Sequence, residues 1–192
     1  SVTGEKIAYV TIKGSGGNLG YARYEPLSMD VASDNYTRTK LLYKMASILA
    51  GQRAQQLAGF EPDSGWESDL HSVRNLAYNY FVRWGDLANS STASLIADKN
   101  HKLILESDEI KNSLQQKIAS MVIEADELAV KLLLKNWSAV EAVKNALLVK
   151  SELSDEEYSK IRSEALANET EEWVLSDTGR AIKKSQATRR WQ

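Results

Sequence analysis

The placement of the chain breakers constrains this sequence most. Eight of its ten glycines and both prolines fall in residues 1–65, whereas the remaining 127 residues hold only Gly85 and Gly179. A Gly or Pro inside a helix costs about 1 or 3 kcal/mol, so breakers punctuate a chain where regular structure stops. A punctuated first third followed by long unbroken stretches predicts a turn-rich start and a helical remainder. The 192 residues suit one ordinary domain and fall short of two.

Ile7 to Ile12 is β-branched and aromatic, and Leu19 to Tyr24 is a second short strand candidate. Gly14-Ser15-Gly16-Gly17-Asn18 between them reads as a hairpin loop. Apolar residues then recur at helical spacing. Leu41, Leu42, Met45, Ile48 and Leu49 mark a helix over about 36–58, closed by Gly59 and Pro62. Leu70, Val73, Leu76, Ala77, Tyr80, Phe81 and Trp84 mark a second over about 67–84, with Gly85 placed as its cap. Residues 86–105 show no sustained period and read as a long loop with one short strand at Lys102 to Leu105. Ser107 is placed to cap a long helix over about 107–135. Capping boxes Ser138-x-x-Glu141 and Ser154-x-x-Glu157 open helices over about 138–150 and 154–167. The expected fold is mainly α with a small β-hairpin or sheet near the N-terminus: a domain over 1–168, then a basic tail over 169–192. Periodicity fades in that tail, which gathers Arg180, Lys183, Lys184, Arg189 and Arg190 and reads as disordered or loosely docked. Contact with an acidic partner or nucleic acid is the alternative use of its charge.

Composition removes whole classes of chemistry. No cysteine means no disulfide, thiol nucleophile or thiolate metal site. Two histidines, His71 and His101, are too few for a self-contained triad or metal centre. The net charge of -2 argues against a general nucleic-acid binder, and no apolar run reaches the roughly 18–20 residues of a membrane span. The start Ser1-Val2-Thr3-Gly4 lacks Met and an apolar signal core, so a processed or cloned segment is expected. Gly14-x-Gly16 has Leu19 where a dinucleotide fingerprint needs its third glycine, and no Gly-Lys-Ser/Thr follows. Asp69 and His71 stand about 200° apart around a helix and cannot converge on one ion. Asp63, Glu67 and Asp69 suit a helix dipole, and Tyr78, Tyr80, Phe81 and Trp84 suit core packing.

The order of short motifs says more than any one of them. Thr11-Ile12, a Gly-containing loop, then Leu19-Gly20-Tyr21-Ala22-Arg23-Tyr24-Glu25-Pro26 resembles the segment after the zinc-binding helix of the FtsH-type ATP-dependent zinc metalloproteases. Leu49-Ala50-Gly51-Gln52-Arg53-Ala54-Gln55-Gln56-Leu57 is similar to that family's Leu-Gly-Gly-Arg-x-Ala-Glu-Glu helix. Gly65-Trp66-Glu67-Ser68-Asp69-Leu70 stands where the family has Thr-Gly-Ala-x-Asn-Asp-Leu/Ile. Arg83-Trp84-Gly85 resembles its Gln-Trp-Gly, and Ala146-Leu147-Leu148 with Lys150, Glu152 and Leu153 its closing Ala-Leu-Leu-x-x-Glu-Thr-Leu. The resemblance runs in order from Lys6 to Ser163.

The resemblance implies a largely helical peptidase domain whose zinc is held by two His of an H-E-x-x-H helix and a distal Asp, with the Glu activating the zinc-bound water. Asp69 is the distal ligand by position. Leu19, Gly20, Tyr21, Ala22, Arg23 and Tyr24 would form the edge strand along which an unfolded polypeptide substrate pairs. It also implies a homo-oligomer, a hexamer in the family, tethered to a membrane with the peptidase on the cytoplasmic side. No H-E-x-x-H occurs in these 192 residues, and Gln52, Gln55 and Gln56 replace the family's Arg and paired Glu. The expectation is therefore part of a zinc peptidase domain, inactive alone and without tightly bound zinc. The alternative is a catalytically dead pseudoprotease kept as an assembly or substrate-binding module, and a helical adaptor using the cationic tail is a third reading.

Overall fold

A computed structural model describes residues 7–14, 21–24, 37–61, 64–82, 96–97, 103–104 and 108–188. The chain divides into two compact units. A helical unit takes Tyr36–Gln55 and Glu61–Val130, and a sheet unit takes Ser1–Asn35, Gln56–Phe60 and Lys131–Gln192.

The helical unit is built on α1 (Arg38–Leu57), α2 (Glu67–Val82) and α3 (Asp108–Lys135), within a residue or two of the spans the periodicity predicts. A 3-10 turn, Ser64–Trp66, leads into α2. Steps of four put Leu41, Met45 and Leu49 on one face of α1, Val73, Ala77 and Phe81 on one face of α2, and Met121, Ala125 and Ala129 on one face of α3. These stripes and Leu114 form one core in which Leu41, Met45, Val73 and Met121 are wholly enclosed. Arg53 Nε and Nη2 donate to the two oxygens of Asp126 at 2.5 and 2.6 Å, a fork that ties α1 to α3. The expected strand near 102–105 is β4 (Leu103–Ile104), paired antiparallel with β3 (Ile96–Ala97). The expected caps Gly85 and Ser107 lie outside the described residues.

In the sheet unit β1 (Ile7–Thr11) pairs antiparallel with β2 (Tyr21–Tyr24), as the hairpin reading requires. A third strand, β5 (Glu152–Ser154), joins the far side of β1, so the order is β2-β1-β5. Val10 opposes Ala22 and Leu153 on one face, while Tyr9, Thr11, Tyr21, Arg23 and Glu152 share the other. Helices α4 (Trp137–Lys150) and α5 (Asp155–Ala167) pack together, and α5 lies against β1.

One capping box forms and the other does not. Ser154 Oγ accepts from Glu157 N at 3.3 Å and Glu157 Oε2 accepts from Ser154 N at 3.0 Å, as expected. Ser138 caps nothing. Asn136 ends α3 by donating its N–H to Leu133 O at 3.0 Å and its Nδ2 to Leu132 O at 2.8 Å. The next helix then restarts at Trp137, two residues too early for Ser138 to cap it, and the Ser138 hydroxyl is buried with no partner among the described residues.

The C-terminal stretch is more ordered than its fading period suggests. β6 (Trp173–Leu175) and β7 (Ala181–Lys183) form an antiparallel hairpin, followed by the short α6 (Lys184–Thr188). Ser176 closes its turn: Ser176 N donates to Arg180 O at 2.8 Å, Arg180 N donates to Ser176 Oγ at 3.0 Å, and Gly179 takes φ 75°. Trp173 packs edge-on to the buried Trp137, ring centres 6.5 Å apart. Arg180 lies over Gly59, so close that a methyl group there would stand 2.5 Å from its Nε.

Candidate functional site

β2 is an edge strand, paired on one side by β1 and on its other side by no strand among the described residues. Of the six residues expected to form a substrate edge, Tyr21, Ala22, Arg23 and Tyr24 make up this strand, and Leu19 and Gly20 lie outside the described residues. Tyr9 and Tyr21 meet edge-to-face, centres 5.6 Å apart at 70°, with their hydroxyls 2.6 Å apart. That hydrogen bond to Tyr9 raises the Tyr21 phenol above its ordinary pKa, because it stabilises the neutral hydroxyl. Thr11 is buried at the centre of the same face, its hydroxyl donating to Ser151 O at 3.1 Å and accepting from Lys13 N at 3.0 Å.

Asp69 belongs to the helical unit, in the first turn of α2 beside Glu67, where a carboxylate meets the positive end of the helix. It is half-buried, and its carboxylate has no hydrogen-bond or ion-pair partner among the described residues. His71 is exposed, and Asn75 Nδ2 donates to its Nδ1 at 3.1 Å. In the neutral ring that leaves the proton on Nε2, so neither nitrogen offers a lone pair while the bond holds. His101 lies outside the described residues.

The profile of peptidase family M41 matches residues 2–161, a span that takes in both β2 and Asp69. The chain belongs to that family. Its relatives include an ATP-dependent zinc metalloprotease FtsH of Mycoplasma mobile, 24% identical over 167 residues, 82% of this chain and 23% of that protein. An ATP-dependent zinc metalloprotease FtsH 1 of Rhodopirellula baltica is 24% identical over 164 residues, 79% of this chain and 23% of that protein. A mitochondrial inner membrane m-AAA protease component of Mus musculus is 28% identical over 147 residues, 75% of this chain and 18% of that protein. The chain thus spans about a fifth of the length of these relatives. No helix among the described residues is long and apolar enough to cross a membrane.

The M41 family implies zinc, and the donor set described here is incomplete for it. Among the described residues no three His, Asp or Glu side chains stand close enough to hold a metal ion. Asp69 offers one carboxylate where tetrahedral zinc needs three protein ligands and a water. This M41 domain also has features that sequence patterns missed. β5 is three residues between two helices, too short to show alternation. The residues after the family match build the β6–β7 hairpin, whose three-residue strands flanking Ser176-Asp177-Thr178-Gly179-Arg180 are too short to show alternation.

Proposed function

We propose that this chain is the portion of an FtsH-like zinc peptidase domain that follows the catalytic helix, with Asp69 as the carboxylate ligand and β2 as the edge on which extended polypeptides pair. The observation that supports this best is the Asp69 carboxylate. It is part-exposed and unpartnered among the described residues, at the position where the family motif has its ligand. An aspartate already engaged by an Arg or by backbone amides would have to break those bonds to ligate. Main-chain pairing at a strand edge reads few side chains, which suits a protease acting on many unfolded sequences. By the same reading the complete protein is a zinc-dependent homo-oligomer, and the 192 residues alone neither bind zinc tightly nor hydrolyse peptide bonds.

Two measurements test this. Calorimetric titration with zinc is expected to show no tight site on this chain, and casein is expected to stay intact with or without chelator. Tight zinc binding or chelator-sensitive cleavage overturns the assignment of a lone ligand. When the domain is joined to an H-E-x-x-H helix, Asp69→Asn is expected to abolish zinc retention. If zinc is then held equally by both forms, Asp69 is not a ligand.

A further inference from the structure

One face of β2 carries two different side chains, and they are prepared differently. Tyr21 and Arg23 are two residues apart and project from the same face, with Ala22 on the other. Tyr21 is 42% exposed, yet its ring is fixed by the edge-to-face contact and hydroxyl bond to Tyr9 before any ligand arrives. Arg23 is exposed and has no carboxylate partner among the described residues. The acidic side chain on the same face, Glu152, is held by Lys13 at 3.2 Å. The edge therefore presents an oriented aromatic plane and, one step of two residues along, an uncommitted cation.

A strand added to this edge places one side chain opposite Tyr21 and another, two residues away, opposite Arg23. Directly opposed pairs of aromatic with aromatic or large aliphatic, and of opposite charges, are the favourable ones in a sheet, and like charges are unfavourable. We propose that β2 is selective as well as an edge: it prefers extended segments with an aromatic or large aliphatic residue opposite Tyr21 and an acidic residue opposite Arg23. This rests on the edge-pairing reading above. Read from N to C, an antiparallel ligand carries acidic-x-aromatic and a parallel one aromatic-x-acidic, so the preferred order reports the direction of pairing.

The test uses the 192-residue chain and short fluorescein-labelled Thr/Val peptides read by anisotropy. Parents carry one Asp-x-Phe or one Phe-x-Asp step. Their variants replace Asp by Lys, replace Phe by Ala, or N-methylate alternate amides along one edge. Each side-chain change in the preferred parent is expected to weaken binding by about two- to fivefold. Arg23→Glu is expected to reverse the Asp-over-Lys preference. Tyr21→Ala is expected to erase the Phe-over-Ala preference, whereas Tyr21→Phe, which keeps the ring, retains it. Reversal also shows that the variant is folded and pairing. Should N-methylation weaken binding while Asp and Lys, and Phe and Ala, bind alike, selectivity is refuted and edge pairing stands. Binding indifferent to N-methylation, or absent for every peptide, overturns edge pairing and this inference with it.

Discussion

The two units hold themselves together by different means. In the helical unit a repeated step of four residues sends Leu41, Met45, Val73 and Met121 into one core, so stability there is a matter of filled volume. The sheet unit buries Leu57, Trp137, Ala139, Leu147 and Leu153, and adds single backbone conformations as fixed points: Gly59 at φ 90°, Ser151 at φ 64°, Gly179 at φ 75°, and the Ser154 capping box. A volume-filled unit should be most sensitive to truncation of its core residues, and a unit pinned at turns to changes of residue type at those turns.

The largest effect should come from truncation in the helical core. Leu41→Ala removes a wholly enclosed side chain and is expected to cost about 2–5 kcal/mol. The same change at Leu148 in the sheet unit, 70% exposed, is expected to stay within about 0.5 kcal/mol. Urea denaturation of both variants checks the contrast. Equal losses would mean that Leu148 is covered in the folded protein and that the comparison is wrong.

Gly59→Ala comes next. Two effects compete: the left-handed backbone, and the encroachment of a methyl group on Arg180. The guanidinium is the far end of a flexible side chain and can swing away, so the backbone term should dominate at about 1–2 kcal/mol. Adding Arg180→Ala to Gly59→Ala is therefore expected to restore little of the loss in thermal melts. Substantial recovery would show instead that the Arg180 contact itself sets the cost.

Ser154→Ala should cost about 1 kcal/mol through the lost cap. Its partner Glu157 gives a pH signature. The Lys150 ammonium, which donates to the carboxylate, is the main cause of its lowered pKa, and the Ser154 N–H adds to it. A depressed folded pKa favours the folded state wherever the unfolded carboxylate is ionised. This contribution is present above the ordinary glutamate value of about 4.3 and is lost as pH falls through the lower folded value. The gap between wild type and Glu157→Gln in urea midpoint should hold constant near neutrality and close in acid. A gap that widens in acid would contradict the sign.

How legible each unit was follows from the same contrast. The helical stripes recur often enough that α1, α2 and α3 can be read within a residue or two, because one face of each must be apolar throughout. The Ser154 box was legible because its two partners lie only three residues apart in sequence. Ser138 and Glu141 have the same spacing, but spacing cannot report that the helix restarts after Asn136, two residues early. β5 and the Trp137–Trp173 contact depend on residues 36 or more apart, which no local pattern encodes. At the candidate site, β2 was visible as a short strand candidate after a glycine-rich loop, and Asp69 by motif order. The ring contact that orients Tyr21 was not, because it depends on the register that brings Tyr9 beside it.

The smallest expected effect has the opposite sign and is the sharpest probe of the sheet unit. Ser151 caps α4 in the left-handed region, where a side chain costs about 1 kcal/mol or more, and glycine removes that cost. Glycine also widens the unfolded ensemble, which offsets the gain by about 0.4–1 kcal/mol. The bonds at this position belong to the backbone: Ser151 N donates to Leu147 O at 2.7 Å, and Ser151 O accepts from Ile12 N at 3.0 Å and from Thr11 Oγ1 at 3.1 Å. All survive the change, and the Ser151 hydroxyl makes no hydrogen bond among the described residues. Ser151→Gly is therefore expected to stabilise by about 0.5 kcal/mol, visible as a small rise in urea midpoint at unchanged slope. A loss of stability would mean that the serine side chain, and not the turn geometry, secures the joint between α4 and β1.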